Sequence, residues 1–305
     1  MSIMRKAFYF LILIILAFEV HSQTPKEYCD RGLKKLGIND FMGAIGEYNK
    51  AIQKDPKFSL AYFGRGISKF GLLDNRGAIT DFTKAIEVNP KYDEAYYMRG
   101  IAKSNQKDDN GAIVDYSKAI EINPQHDNAY FQRGASKSNL QDYKGAITDY
   151  NKVIKISPKN NWAYFNRGRA KSRILDHIGA IVDFTKAIAI ETNYETYFSR
   201  GISKFELNDY RGANFDFTKS LEMNPKYADT YFARANAKIK LSDNSGAISD
   251  LNALLEIDTR SAKAYYLRGI LKVQSGQKDS GCLDLSKAGE LGDAKAYGSI
   301  KAYCQ

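Results

Sequence analysis

Tyr130-Phe131-Gln132-Arg133-Gly134, followed by Lys137 and then by Gly145-Ala146-Ile147-Thr148-Asp149-Tyr150, decides the fold because it recurs. It returns upstream at Tyr96–Gly100 with Gly111-Ala112-Ile113, and at Tyr62–Gly66 with Gly77-Ala78-Ile79. The aligned pairs are Arg31-Gly32, Arg65-Gly66, Arg99-Gly100, Arg133-Gly134, Arg167-Gly168, Arg200-Gly201, Arg234-Ala235 and Arg268-Gly269, at steps of 34 residues with one of 33. A fixed period of this length is one supersecondary unit stacked on copies of itself. Eight units result, 25–58, 59–92, 93–126, 127–160, 161–193, 194–227, 228–261 and 262–295, with a C-terminal capping helix expected over 296–305.

Two helical patterns share each unit. In the first, a tyrosine (Tyr28, Tyr62, Tyr96, Tyr130, Tyr164, Tyr197, Tyr231, Tyr265) precedes Gly or Ala by four, so both lie on one face. In the second, a small residue precedes an aromatic or leucine by four, as in Ala78, Phe82 and then Ala85. Small residues at matched places let two helix axes approach while the aromatics fill the space beside them. Aspartates Asp40, Asp74, Asp108, Asp142, Asp176, Asp209 and Asp243 are placed to cap the second helices, and Pro56, Pro90, Pro124, Pro158 and Pro225 to end them.

These motifs resemble the tetratricopeptide repeat family, over about 270 of the 305 residues. The resemblance implies an all-α fold, a right-handed superhelical solenoid of helix-turn-helix repeats whose first helices line a concave groove for a protein or peptide. Departures fall in the last two units and at one connector. The last two units lack the proline, Leu251 and Leu285 replace the aromatic, and the fifth connector is one residue short.

Arg at the seventh place and Lys at the eleventh recur in all eight units, and an acid recurs in every second helix, from Glu47 to Asp284. Family members more often carry apolar residues at both basic places. The recurrence predicts a structural ladder of Arg–Asp pairs between helices, including Arg65–Asp81, Arg99–Asp115, Arg133–Asp149 and Arg167–Asp183. A ligand-facing basic strip is the alternative.

The family's ligand positions map to the second, fifth, sixth, ninth, twelfth and thirteenth places. The fifth carries Phe63, Tyr97, Phe131, Phe165, Phe198, Phe232 and Tyr266, with Cys29 in the first unit. This stripe is packing that also gives the groove an apolar floor, and it argues against the Lys and Asn clamp with which some members hold a C-terminal carboxylate. In the fifth unit Trp162, Asn166, Arg169 and Arg173 form one helical stripe, and the preceding unit presents Asn128, Gln132 and Asn139 at matching places. Trp and Arg often anchor interfaces. These residues, with Phe131, Phe165 and Phe198, are the expected partner-binding patch, suited to an acidic segment. An ordinary solvated face is the alternative.

Arg5 and Lys6 precede an apolar run from Ala7 to Phe18, and Val20-His21-Ser22 suits cleavage, so 1–22 reads as an export signal and the mature chain as periplasmic or secreted. An uncleaved anchor is the alternative. Cleavage lowers the formal charge from +10 to +9. Mature cysteines are Cys29, Cys282 and Cys304; the last two fall at similar heights on helices turning at Gly292, within reach of a disulfide, with two buried thiols as the alternative. His126 and His177 are isolated, no cysteine and histidine share metal-ligand spacing, and Gly-Ala-Ile reads as a helix-packing site rather than a phosphate loop. Neither catalysis, nor a cofactor or metal, nor nucleic-acid binding is expected, nor an integral membrane protein after cleavage. The leading expectation is an exported scaffold for protein–protein interaction. A structural or assembly component of the cell envelope and a binder of anionic glycan or lipid are the alternatives.

Overall fold

The computed structural model describes residues 23–305; the export signal expected over 1–22 lies outside the described residues. Those residues form α-helices and no strand, and gather into two compact units, one ending at Leu140 and one spanning Gln141–Gln305. The first unit holds α1 (Pro25–Gly37), α2 (Phe41–Lys54), α3 (Ser59–Gly71), α4 (Asn75–Val88), α5 (Asp93–Asn105), α6 (Asp109–Ile122) and α7 (Asp127–Asn139). The second holds α8 (Tyr143–Ile156), α9 (Asn161–Arg173), α10 (His177–Ile190), α11 (Tyr194–Glu206), α12 (Tyr210–Met223) and α13 (Ala228–Lys240). It continues with α14 (Asn244–Ile257), α15 (Ala262–Gln274), α16 (Lys278–Glu290) and α17 (Ala294–Tyr303). Odd-numbered helices are the first helices of the repeats and even-numbered ones the second. No described helix is long and apolar enough to cross a membrane.

Within each unit every helix packs on the one before and after it. First helices of successive repeats also touch, as α3 with α5 or α11 with α13, whereas second helices of successive repeats make no comparable contact. Each stack therefore bends with its first helices on the inside, which makes their free face concave.

The second helices begin where their aspartates dictate. The carboxylate of Asp108 accepts the Gly111 N–H at 2.9 Å, and Asp40, Asp74, Asp142, Asp176, Asp209 and Asp243 each cap the glycine three residues on. A Cβ on any of these glycines would collide with its capping carboxylate. The Gly-Ala pair expected to be one packing site thus divides its work. Glycine seats the cap, and alanine (Ala44, Ala78, Ala112, Ala146, Ala180, Ala213, Ala247) is wholly buried against the first helix.

Helix-to-helix approach is set by a different glycine, at the eighth place. A Cβ at Gly100 would stand 2.6 Å from the Tyr116 ring, and one at Gly201 would stand 2.6 Å from Phe217. The second helix's aromatic therefore lies directly on the first helix's backbone. In the seventh repeat Ala235 takes the glycine's place and Leu251 the aromatic's, and both are fully buried. The two departures compensate: the methyl occupies volume that a full ring needs.

The fifth connector, shortened to 191–193, ends in Asn193, whose side chain caps α11 through the Thr196 N–H at 2.7 Å. At the carboxyl end, α17 starts at Ala294 rather than 296 because Asp293 caps it through the Lys295 N–H. Cys282 and Cys304 are bonded, their Cα atoms 5.8 Å apart. Tyr297 donates to the Gly289 carbonyl at 3.2 Å, and Ser299 to the Tyr266 hydroxyl at 3.4 Å. The last helix is thereby fastened to both helices of the repeat it covers.

Two outcomes test this packing. Leu251→Phe alone is expected to cost about 1–3 kcal/mol by overpacking, and Leu251→Phe with Ala235→Gly to recover most of it, read by urea denaturation of both variants. Cys304→Ser is expected to remove about 3 kcal/mol of local stability, seen as faster amide exchange in α17 with α9 to α13 unchanged.

Candidate functional site

The recurring charges are spent inside the repeats. The Asp81 carboxylate, 1% exposed, receives Arg65 through Nε at 2.9 Å and Nη2 at 2.6 Å, and Lys69 at 2.8 Å. The same three-residue cluster forms at Arg99, Lys103 and Asp115 and at Arg167, Lys171 and Asp183. It recurs at Arg200, Lys204 and Asp216, at Arg234, Lys238 and Asp250, and at Arg268, Lys272 and Asp284. The lysine is thus a second donor to the acid that the arginine forks. Arg133 belongs to the first unit and Asp149 to the second; Arg133 lies over Tyr130, its carbon 5.4 Å from the ring centre, and donates to Ser117 at 3.0 Å.

The arginine has a third tie that spacing alone did not reveal. Its Nη1 reaches back to the preceding repeat's second helix: Arg65 to Asn49 at 2.7 Å, Arg99 to Thr83 at 3.1 Å, Arg234 to Thr218 at 3.1 Å and Arg268 to Asn252 at 2.8 Å. Thr83 meanwhile donates its own proton to the Ile79 carbonyl, which leaves its oxygen to accept the guanidinium. The signal was an Asn, Ser or Thr sixteen residues before the arginine, or fifteen at Arg200, where the connector is short. In the first repeat Arg31 turns instead to Gln23 and Glu47, and Lys35 to Asp40. Hydrogen bonding from Lys50, then the Arg31 charge, hold the Glu47 carboxyl below its ordinary pKa.

On the inner face of the first unit, Gln132 is hydrogen-bonded to Tyr97, whose hydroxyl burial raises above its usual pKa. Asn139 donates to the buried Asp109 carboxylate at 3.2 Å. Asn128 is exposed and Phe131 half-buried. Two of the expected contact residues are therefore already engaged within the fold. His126 caps α7 through the Ala129 N–H at 3.4 Å and lies 4.8 Å, ring to ring, from Tyr97. Cys29 is buried beside Tyr48, and that burial pushes its thiol up to about 11.

In the second unit, Trp162, Asn166, Arg169 and Arg173 share α9. Trp162 is 47% exposed and meets Phe165 edge-on at 5.8 Å. Asn166 donates to the Trp162 carbonyl at 2.9 Å. Phe165 itself is buried under Trp162 and under Arg169, whose guanidinium carbon lies 5.7 Å from its ring centre. It supports the patch and is not open to a partner, a correction to its expected contact role. Phe198 is half-buried, 5.9 Å from Phe217 and 5.1 Å from Tyr227.

Three adjoining cavities, about 490, 380 and 550 Å³, follow this face toward α17. The first lies between Arg169, Arg173 and Phe198; the second shares Phe198, Ile202 and Glu206 with it and reaches Phe232; the third runs from Phe232 and Asn236 to Tyr266 and Lys295. Apolar floors with scattered polar rims suit a chain-like ligand.

Residues 138–173 match the family description "TPR repeat" and 93–126 match "Tetratricopeptide repeat". No curated protein sequence matches the chain. Among solved structures, the MamA protein is 29% identical over 55% of this chain and 91% of its own, with a TM-score of 0.52. The C-terminal part of a TPR repeat-containing protein from Cytophaga hutchinsonii is 20% identical over 77% of this chain and 97% of its own, at 0.66. YrrB, described as a TPR protein with an unusual peptide-binding site, is 20% identical over 61% and 97%, at 0.55.

Asp115→Ala leaves the largely buried Arg99 and Lys103 without their shared carboxylate and is expected to cost about 3–5 kcal/mol. An unchanged urea midpoint in that variant would show the cluster to be dispensable.

Proposed function

Since the chain belongs to the tetratricopeptide-repeat family, we propose that it is a non-catalytic scaffold, exported from the cytoplasm, that holds a protein or peptide on the inner face of its first helices. One observation carries this reading. The ladder consumes most repeated charges in structural pairs, while α9 keeps an exposed tryptophan and two exposed arginines beside a run of cavities. Trp and Arg are the side chains that most often carry binding energy. The peptide-binding site described for YrrB supports peptide binding on a fold of this kind.

Export rests on the Arg5–Ser22 pattern and agrees with a disulfide, which persists in oxidising compartments. The alternative of an anionic glycan or lipid ligand rested on the net charge. That charge is less available than its sum suggests, because the arginine and lysine of each complete cluster face one buried aspartate.

Affinity capture with the mature protein from the source cell's envelope fraction, followed by mass spectrometry, tests the reading. One dominant partner is expected. Trp162→Ala with Arg169→Ala is expected to weaken that capture by on the order of tenfold or more with little change in melting temperature. Unchanged capture by the double variant would remove the α9 patch from the interface.

A further inference from the structure

The three cavities of the second unit differ in charge, and the difference specifies a ligand. Arg169 and Arg173 line the first, with the Ser172 and Ser199 hydroxyls. Glu206 and Asp229 line the second, around Phe198, Phe205 and Phe232. Lys263 and Lys295 return positive charge in the third, beside Asp293.

Arg169 is unlike the ladder arginines. Theirs are forked onto buried aspartates, whereas Arg169 lies exposed on the Phe165 ring and makes no ion pair among the described residues. A guanidinium stacked on an aromatic keeps its N–H edges free and oriented, which suits a carboxylate fork. Arg173, one turn on, is also exposed and unpaired among the described residues. It sits in the last turn of α9, where the helix dipole favours a cation anyway; Arg169 stands a turn earlier and has no such reason. Glu206 lines the same cavity and is an acid that an incoming carboxylate meets there.

We infer that this groove takes an extended peptide segment in which one carboxylate side chain lies between Arg169 and Arg173 and an apolar side chain enters the aromatic second cavity. The inference rests on the peptide-scaffold reading above and narrows its ligand. Packed helices stand about 10 Å apart and an extended chain advances about 3.3 Å per residue, so the two side chains are about three residues apart. A uniform polyanion is a poor fit, because beyond the arginines it meets Glu206 and Asp229.

Trp162 is the chain's one tryptophan and lies on the same helix as both arginines, so its emission reports binding. The mature chain is titrated with three probes: a nonapeptide with glutamate at its third place and leucines at its sixth and ninth, the same peptide with glutamine for glutamate, and hexaglutamate. The glutamate peptide is expected to bind at least tenfold more tightly than the glutamine one. Arg169→Ala with Arg173→Ala removes that difference, and Glu206→Gln, which relieves repulsion, tightens the glutamate peptide severalfold. All three positions are exposed, so a circular-dichroism melt separates binding loss from unfolding. Equal binding of the two nonapeptides overturns the carboxylate register and leaves the scaffold reading standing. Tightest binding of hexaglutamate overturns it in favour of a polyanion surface. No binding of any probe overturns both.

Discussion

The stack depends on one guanidinium per repeat. Each ladder arginine lies against the tyrosine one turn earlier, with Arg99 5.5 Å from Tyr96 and Arg234 5.8 Å from Tyr231. Arg99, for example, forks Asp115 of its own second helix and donates to Thr83 of the preceding repeat's second helix. Three helices from two repeats are thereby held by a single side chain. The geometry explains why lysine does not replace it, since a point charge cannot present separate N–H edges in three fixed directions. A carboxylate 1% exposed is tolerable only because Arg and Lys both answer it. The ladder joins neighbouring helices through fixed polar contacts, and the apolar seam beside it buries the aromatic rings.

That seam runs on steric pairs. Gly66 admits Phe82, Gly100 admits Tyr116 and Gly201 admits Phe217, each ring lying on bare backbone. Where a methyl appears, at Ala235, the ring shrinks to Leu251. The eighth repeat is covered by a short helix, fastened by two hydrogen bonds that involve tyrosines and by the Cys282–Cys304 bond.

Because structure uses the repeated residues, the non-repeated ones carry the individuality of the protein. Arg169 stands where Ile202 and Ile270 stand in later repeats, and Trp162 where Glu195 and Asp229 stand. These are inner-face positions, where a change does not disturb the seam. Glu206 and Asp229 place acids between the arginines of the first cavity and the lysines of the third. The balance of free charge along this face differs in kind from the net charge of the chain.

The repeat period, the aspartate caps, the tyrosine and glycine places and the pairing of Arg with Asp were legible in the linear sequence, because periodicity and local capping are properties of residue spacing. The sequence also determined that the ends depart from the pattern. Only the tertiary structure decided that the capping glycine makes room for its aspartate, that Lys69 and its equivalents share the buried aspartate, and that the arginines after the first repeat reach back to an Asn, Ser or Thr. It also decided that Phe165 is covered, and that Gln132 and Asn139 are engaged by Tyr97 and Asp109. Those facts depend on which side chain arrives first at a shared polar atom or a shared volume. Several neighbours are eligible by spacing alone, and packed helices choose among them.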